Sequence, residues 1–323
     1  MRHYIFKRVL GGMLTIILVL MFNFVLMRLA PGDPILTMMG SNQDNPIVRA
    51  ELMARYGLDQ TIPVQLMTFM NNFLLRGDMG VSINFNRPVS DMIGERIFPT
   101  ILLGLTGVII GAILGTAMGV FCARREGAIS DILISAIQYV FNAFPAFWLG
   151  LILIIIFATN LGLFPSSGMS NMRVVHTGIG YAFDVIRHMV LPVATLVIVI
   201  MPSYFRIAKT AVLQVTNENF VTTFRATGMS ESKIFRKYIF RNAILPTVTI
   251  FGISMAYLVT GVALIETVFA WPGMGHLVLT AIMQRDYPTI LGVYIILSIA
   301  VAIVMMLVDF LYALLDPRIR LYS

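Results

Sequence analysis

Few residues in this chain have the type and spacing for covalent chemistry. The four histidines, His3, His176, His188 and His276, lie far apart, and none falls in H-E-x-x-H or another metal-ligand spacing. Cys122 is the single cysteine, so no disulfide closes within the chain and no Cys-based metal site forms. A small buried apolar role suits it. There is no G-x-S-x-G nucleophile elbow. No lysine follows a glycine, so a P-loop is absent. The chain therefore holds no ATP through a Walker motif of its own. If ATP drives it, another chain binds the nucleotide and its magnesium. No catalytic residue, cofactor or metal is expected here.

The carboxylates point the same way. Charged groups buried in a membrane mark ion paths and proton relays because burying them is costly. Glu266 and Asp309 lie at the ends of apolar runs, and no such run has a charge at its middle. This counts against a proton- or sodium-coupled secondary transporter, and against an intramembrane enzyme, which needs a paired acid and base. No filter-like backbone motif of a selective channel is visible either.

The elements that must position the remaining candidates follow from composition. Of 323 residues, 58% are hydrophobic and 12% charged. A soluble domain carries roughly 45–50% apolar and about 25% charged residues. The runs Val9–Met27, Ile97–Ala123, Ile132–Met172, His188–Phe205, Asn242–Ile265 and Tyr287–Val308 contain no Asp, Glu, Lys or Arg. A hydrocarbon core about 30 Å thick takes about 20 apolar residues of helix. The His188–Phe205 run is marginal, and the third is long enough for a span and an outside loop. The expectation is an all-α membrane protein with six transmembrane helices. The first run exceeds a signal-peptide core, which spans about 7–15 residues, and no A-x-A site follows it, so it reads as an uncleaved helix.

Six spans place both termini on one side. With that side inside, 14 Lys and Arg lie inside and 9 outside. Six of the 9 fall in the long 28–96 stretch, where the positive-inside rule is weak. The net charge of +7 thus reads as topology, N-in and C-in, rather than as a nucleic-acid surface. The chain divides into 1–30 (tail and first helix), 31–95 (an extracytoplasmic helical segment), 96–314 (a five-helix core with a cytoplasmic loop at 206–241) and 315–323 (a cytoplasmic tail). Within 31–95, two short helices are expected. One covers Leu52, Met53, Tyr56 and Leu58 and the other Val64 to Leu75, ending near Gly57 and Gly77.

The most informative stretch runs from Asn219 to Glu231. Phe220 and Phe224 lie one turn apart on a helix of about 12 residues, or about 18 Å. Asn217 is placed to cap it and Gly228 to end it, with Ser230 capping a second helix. A short helix with exposed aromatics, tethered between two spans, suits docking into a groove on a cytoplasmic partner. Phenylalanines dipping into lipid are the other reading. Lys233, Arg236, Lys237 and Arg241 form a basic stripe that fits anionic headgroups.

This stretch, with Arg241-Asn242-Ala243-Ile244-Leu245-Pro246, resembles the cytoplasmic loop of binding-protein-dependent ABC importer permeases. The resemblance extends along almost the whole chain. Arg28-Leu29-Ala30-Pro31-Gly32-Asp33-Pro34 looks like a signature of the dipeptide, oligopeptide and nickel subfamily. Tyr56-Gly57-Leu58-Asp59, Gly77-Asp78-Met79-Gly80-Val81-Ser82 and Phe147-Trp148-Leu149-Gly150 match it too. So do Glu266 through Gly275, Arg285-Asp286-Tyr287-Pro288, Leu307 through Tyr312 and Asp316-Pro317-Arg318. Each is weak alone; their order and spacing together are specific. The chain departs from the loop pattern at Thr222, Thr223 and Phe224, where Glu or Arg and a small pair are usual, and at Thr227, where Lys is common.

The resemblance implies a type I ABC importer transmembrane domain in a bacterial or archaeal plasma membrane, with no enzyme activity of its own. It implies a second homologous permease subunit, two ATPase subunits that bind ATP and magnesium, and an extracytoplasmic solute-binding protein. Phe220, Val221, Thr223, Phe224, Arg225, Ala226, Gly228 and Met229 would form the ATPase-coupling helix. Asn142, Phe144, Phe147, Trp148, Glu266 and Trp271 are candidates for the path or gate. The solute would be a dipeptide or oligopeptide, with a nickel or metal chelate or glutathione as alternatives.

Overall fold

The computed structural model describes residues 2–29, 35, 39, 45–55, 57–171 and 177–315, with the backbone alone at 2–9, 28–29, 55, 256–257, 259–261 and 307–315. Residues 30–34 of the first signature, Tyr56, His176 and Asp316-Pro317-Arg318 lie outside the described residues, as do the side chains of His3, Arg28 and Asp309.

The elements in chain order are α1 (Arg2–Leu29), α2 (Pro46–Arg55), α3 (Ile62–Arg76), α4 (Val89–Ala123), α5 (Ile129–Ala143) and α6 (Ala146–Leu153). A π-helical segment, Ile154–Asn160, extends α6. Then come α7 (Ile179–Thr216), α8 (Asn219–Ala226), α9 (Glu231–Ile234), a second π segment (Phe235–Ile239) and α10 (Phe240–Ala243). The chain continues through α11 (Leu245–Gly261), α12 (Ala263–Val268), α13 (Met274–Gln284) and α14 (Tyr287–Leu315). Among the described residues the sole β pairing is one bridge between Val81 and Pro88.

Among the described residues, five stretches are long and apolar enough to cross a bilayer: Leu10–Met27, Val89–Ala123, Ile179–Thr216, Glu231–Met255 and Tyr287–Met306. The third expected span differs. It is broken into α5 and α6–π, which meet at 103°. The break falls at Phe144-Pro145, where Phe144 is extended (φ −87, ψ 137) because a residue before proline is driven out of the helical region.

The packing of α4 on α7 shows that this bent pair is a crossing. Gly107 faces Leu196, Gly111 faces Val197 and Ile200, Gly115 faces Met201 and Tyr204, and Gly119 faces Phe205, Ala208 and Lys209. The two helices therefore run parallel, and the chain between them must return from one end of the bundle to the other. Gly168 N–H, bonded to the Phe269 carbonyl at 2.8 Å, lies at the far end from Gly127. The approach is close enough that a Cβ on Gly115 would sit 2.5 Å from the Met201 carbonyl oxygen. Small residues at every fourth position permit this backbone contact, the usual basis of tight helix pairing in lipid. At 38 and 35 residues, α7 and α4 are longer than the apolar runs that marked them.

Helices α1 and α14 run antiparallel: Met27 packs by Tyr287 and Ile290, while Gly12 faces Ala302. With α11 this makes six crossings among the described residues, and α1 begins at the same end as the 206–241 segment. The two expected helices of the 31–95 segment form as α2 and α3, followed by Gly57 (φ 62) and Gly77 (φ 65) in the left-handed region.

Candidate functional site

Thr216 ends α7, and Asn217 caps that end through its N–H to the Leu213 carbonyl, rather than opening the next helix. Glu218, extended and without a side-chain cap bond, precedes α8. At 8 residues α8 is shorter than the sequence suggested, about 12 Å. Gly228 (φ 76) closes it: its N–H bonds to Arg225 O at 3.0 Å, and Met229 N–H bonds back to Phe224 O at 3.2 Å. Ser230 stands at the start of α9, with no side-chain cap bond. Glu231 instead reaches back to Arg225 through a two-point pair, Nε to Oε1 at 2.7 Å and Nη2 to Oε2 at 3.3 Å.

The faces of α8 correct the sequence picture of exposed aromatics. Val221 is fully buried among Ala211, Val212, Ile234, Ile239, Ala243 and Ala123. Phe220 and Phe224 pack onto this core, half-buried, with ring centroids 6.0 Å apart, and Phe224 lies 4.2 Å from Tyr238. Met229 joins them. The outward surface is polar or small: Thr222, Thr223, Arg225, Ala226, Thr227 and Gly228. A short helix gains most by spending its apolar stripe on its own bundle. The eight proposed coupling residues thus form one unit with two roles: four anchor it and Thr223, Arg225, Ala226 and Gly228 are presented outward. Because the anchor includes Ala123 of α4 and Ala211 of α7, a push on α8 acts directly on both long helices.

The six path candidates fall into two places. Asn142, Phe144, Phe147 and Trp148 are exposed together around the α5–α6 elbow, with Phe144 and Trp148 stacked at 4.7 Å. Glu266 and Trp271 are fully buried at the end of the bundle opposite α8. Glu266 accepts from Thr100 Oγ1 at 2.6 Å and from His276 N–H at 3.0 Å; Trp271 Nε1 donates to Pro99 O at 2.9 Å. Both side chains pin the α12–α13 turn to α4. The two groups are linked, since Gly150 of α6 packs against Val268 and Phe269.

The structure also joins two motifs whose connection the sequence did not reveal. Asp286 is fully buried and accepts from the Ser82 hydroxyl, from Ile83 N–H at 3.1 Å and from Thr289 Oγ1 at 2.9 Å. It fastens the 77–83 loop to the start of α14. About 200 residues separate the partners, so no local pattern could have paired them.

Residues 115–321 match the family described as binding-protein-dependent transport system inner membrane component, and residues 1–104 match its N-terminal companion. The chain belongs to this family. It is a permease subunit of an ABC importer and a multi-pass membrane component, not an enzyme. Such a subunit works with an ATPase and a solute-binding protein.

Relatives span the whole chain. The oligopeptide transport system permease protein AppB of Bacillus subtilis is 34% identical over 99% of this chain and 100% of that protein. The di/tripeptide transport system permease protein DppB of Pseudomonas aeruginosa is 32% identical over 94% of each. The glutathione transport system permease protein GsiC of Salmonella typhimurium is 33% identical over 99% of each. Among solved structures, an inward-facing form of the MetNI methionine ABC transporter overlays with a TM-score of 0.55 at 19% identity, covering 70% of this chain and 97% of that one. That likeness concerns the fold.

Proposed function

We propose that this subunit forms half of the translocation path for a peptide-class solute, a dipeptide, oligopeptide or glutathione. Its other half is a second permease subunit. Two ATPase subunits, which bind ATP and magnesium, sit beneath the pair, and an external binding protein delivers solute from above. The observation that carries the mechanism is α8: a rigidly anchored helix with a polar outward face, seated on the ends of α4 and α7. The excess of basic residues at that end supports a cytoplasmic placement. ATP-driven closure of the ATPases moves α8, and the bundle shifts between inward- and outward-open states. The reading keeps the division into a 31–95 extracytoplasmic segment, a 96–314 core and a 206–241 coupling loop, although α4 already begins at Val89, inside the first of these.

The test uses the complete transporter in proteoliposomes with labelled dipeptide, nickel chelate and glutathione. Gly228→Ala forces a side chain into a left-handed position, and Phe224→Ala removes an anchor. Each is expected to lower solute imported per ATP about tenfold, within the usual range of coupling energies, with the subunit still in the membrane. Wild-type coupling in both variants overturns the role of α8. Saturable uptake of nickel chelate alone overturns the peptide assignment.

A further inference from the structure

The elbow arm α5 is built inside out. Its apolar residues, among them Ile129, Ile132, Leu133 and Ile137, are exposed on this chain, while its buried residues are polar: Asp131 and Gln138. Asp131, Ser135 and Gln138 fall at i, i+4 and i+7, on one helix face. That face lies on the α4–α7 pair. Asp131, 5% exposed, forms an ion pair with Lys209 of α7. It also accepts from Ser135 Oγ at 3.1 Å and from Gly127 N–H at 3.2 Å, and Lys209 Nζ lies 3.2 Å from Ser135 Oγ. Farther along, Gln138 donates to Met118 Sδ of α4 at 3.5 Å, and its buried Oε1 has no partner.

The position of Lys209 gives the cluster its meaning. It sits where Gly119 lets α4 touch the α7 backbone, so it is fixed to the rigid pair. Within the next turn of α7, Ala211 and Val212 enter the core that anchors α8. Asp131 lies in the first turn of α5, whose other end is the Phe144-Pro145 elbow.

We propose that Asp131 and Lys209, with Ser135, form the latch that transmits displacement of α8 and the α7 end to the elbow. They are positioning residues for transport, and the proposal rests on the reading of α8 as the ATPase-docking helix. Apolar contacts between helices in lipid are non-directional and weakly driven, so they let an arm slide. A charge-assisted cluster is directional, and parting it leaves a charge with little water to receive it. The arm therefore follows α7 rather than slipping along it.

The experiment uses the complete transporter in proteoliposomes, with the fully buried Cys122 left in place, the reporter Ala143→Cys at the exposed end of the arm, and a membrane-impermeant maleimide. Labelling at the reporter is expected to change several-fold when ATP is added. Asp131→Asn and Lys209→Met should abolish that change and raise ATP hydrolysed per solute about tenfold, while hydrolysis itself persists. Lys209→Arg, which keeps the charge, should restore both. A merely structural role would alter assembly and leave the ATP-dependent labelling of assembled complexes intact. If the single variants keep wild-type labelling and coupling while Gly228→Ala uncouples, the latch is overturned and the α8 reading stands. If Gly228→Ala and Phe224→Ala are also fully coupled, both fall. Should the charge variants fail to assemble, Ser135→Ala decides: it keeps both charges, is expected to raise the ATP cost about two- to threefold, and overturns the latch if coupling is unchanged.

Discussion

Single buried polar residues fasten segments that are far apart in sequence. Asp286 is the strongest case, because four donors from two segments converge on one carboxylate. Hydrogen bonds to a charged group contribute about 1.5–3 kcal/mol each. Asp286→Asn is therefore expected to lower the melting temperature of the purified complex by several degrees, as a fluorescence melt would record. Trp271→Phe loses the bond to Pro99, about 1 kcal/mol, and leaves a cavity where the larger indole was fully buried; the same melt should show a clear drop from the wild type. Arg225 and Glu231 differ in kind, being exposed on both sides of their pair. Arg225→Ala should leave the melt unchanged and show itself in the coupling ratio.

The elements differ in how firmly they are held, and glycine placement explains much of it. The α4 stripe from Gly107 to Gly119 meets α7 backbone to backbone. Gly115→Leu would drive a side chain into Met201 and Tyr204, where overpacking costs about 1–3 kcal/mol or more. Membrane abundance of the assembled complex should fall sharply. Gly94→Ala on the same helix is the control, since a Cβ there meets nothing within 4 Å; its abundance should match the wild type. By contrast α5 rests on a polar stripe, which suits an arm that is led by its neighbour. Helix α8 stands between these cases, anchored by Val221 yet presenting a polar surface. Its sequence shows an aromatic pair at helical spacing, but that spacing is equally good for docking outward and for packing inward. The bundle beneath it decided for packing.

At the scale of the molecule, the six crossings follow from helix direction. The parallel run of α4 and α7 requires the bent α5–α6 pair to traverse the bundle, and the antiparallel α1 and α14 return the chain to its starting end. If the termini and α8 share the cytoplasmic side, a protease added to sealed right-side-out vesicles should spare the 206–241 segment. In inside-out vesicles it should cut there, read by mass spectrometry of the fragments.

Composition and the runs of uncharged residues were enough to establish an all-α membrane chain and its number of crossings. Those properties depend on hydropathy along the chain, which is local. The ordered motifs placed the family. The third run read as one span, and the 103° turn at Phe144-Pro145 appeared only in the structure. Tertiary structure alone decided that Asp286 meets Ser82, that Lys209 meets Asp131, and that Phe220 and Phe224 face inward. Each depends on which surfaces lie opposite one another after the helices pack, and residues 78 to 204 positions apart carry no mark of that meeting until the chain brings them together.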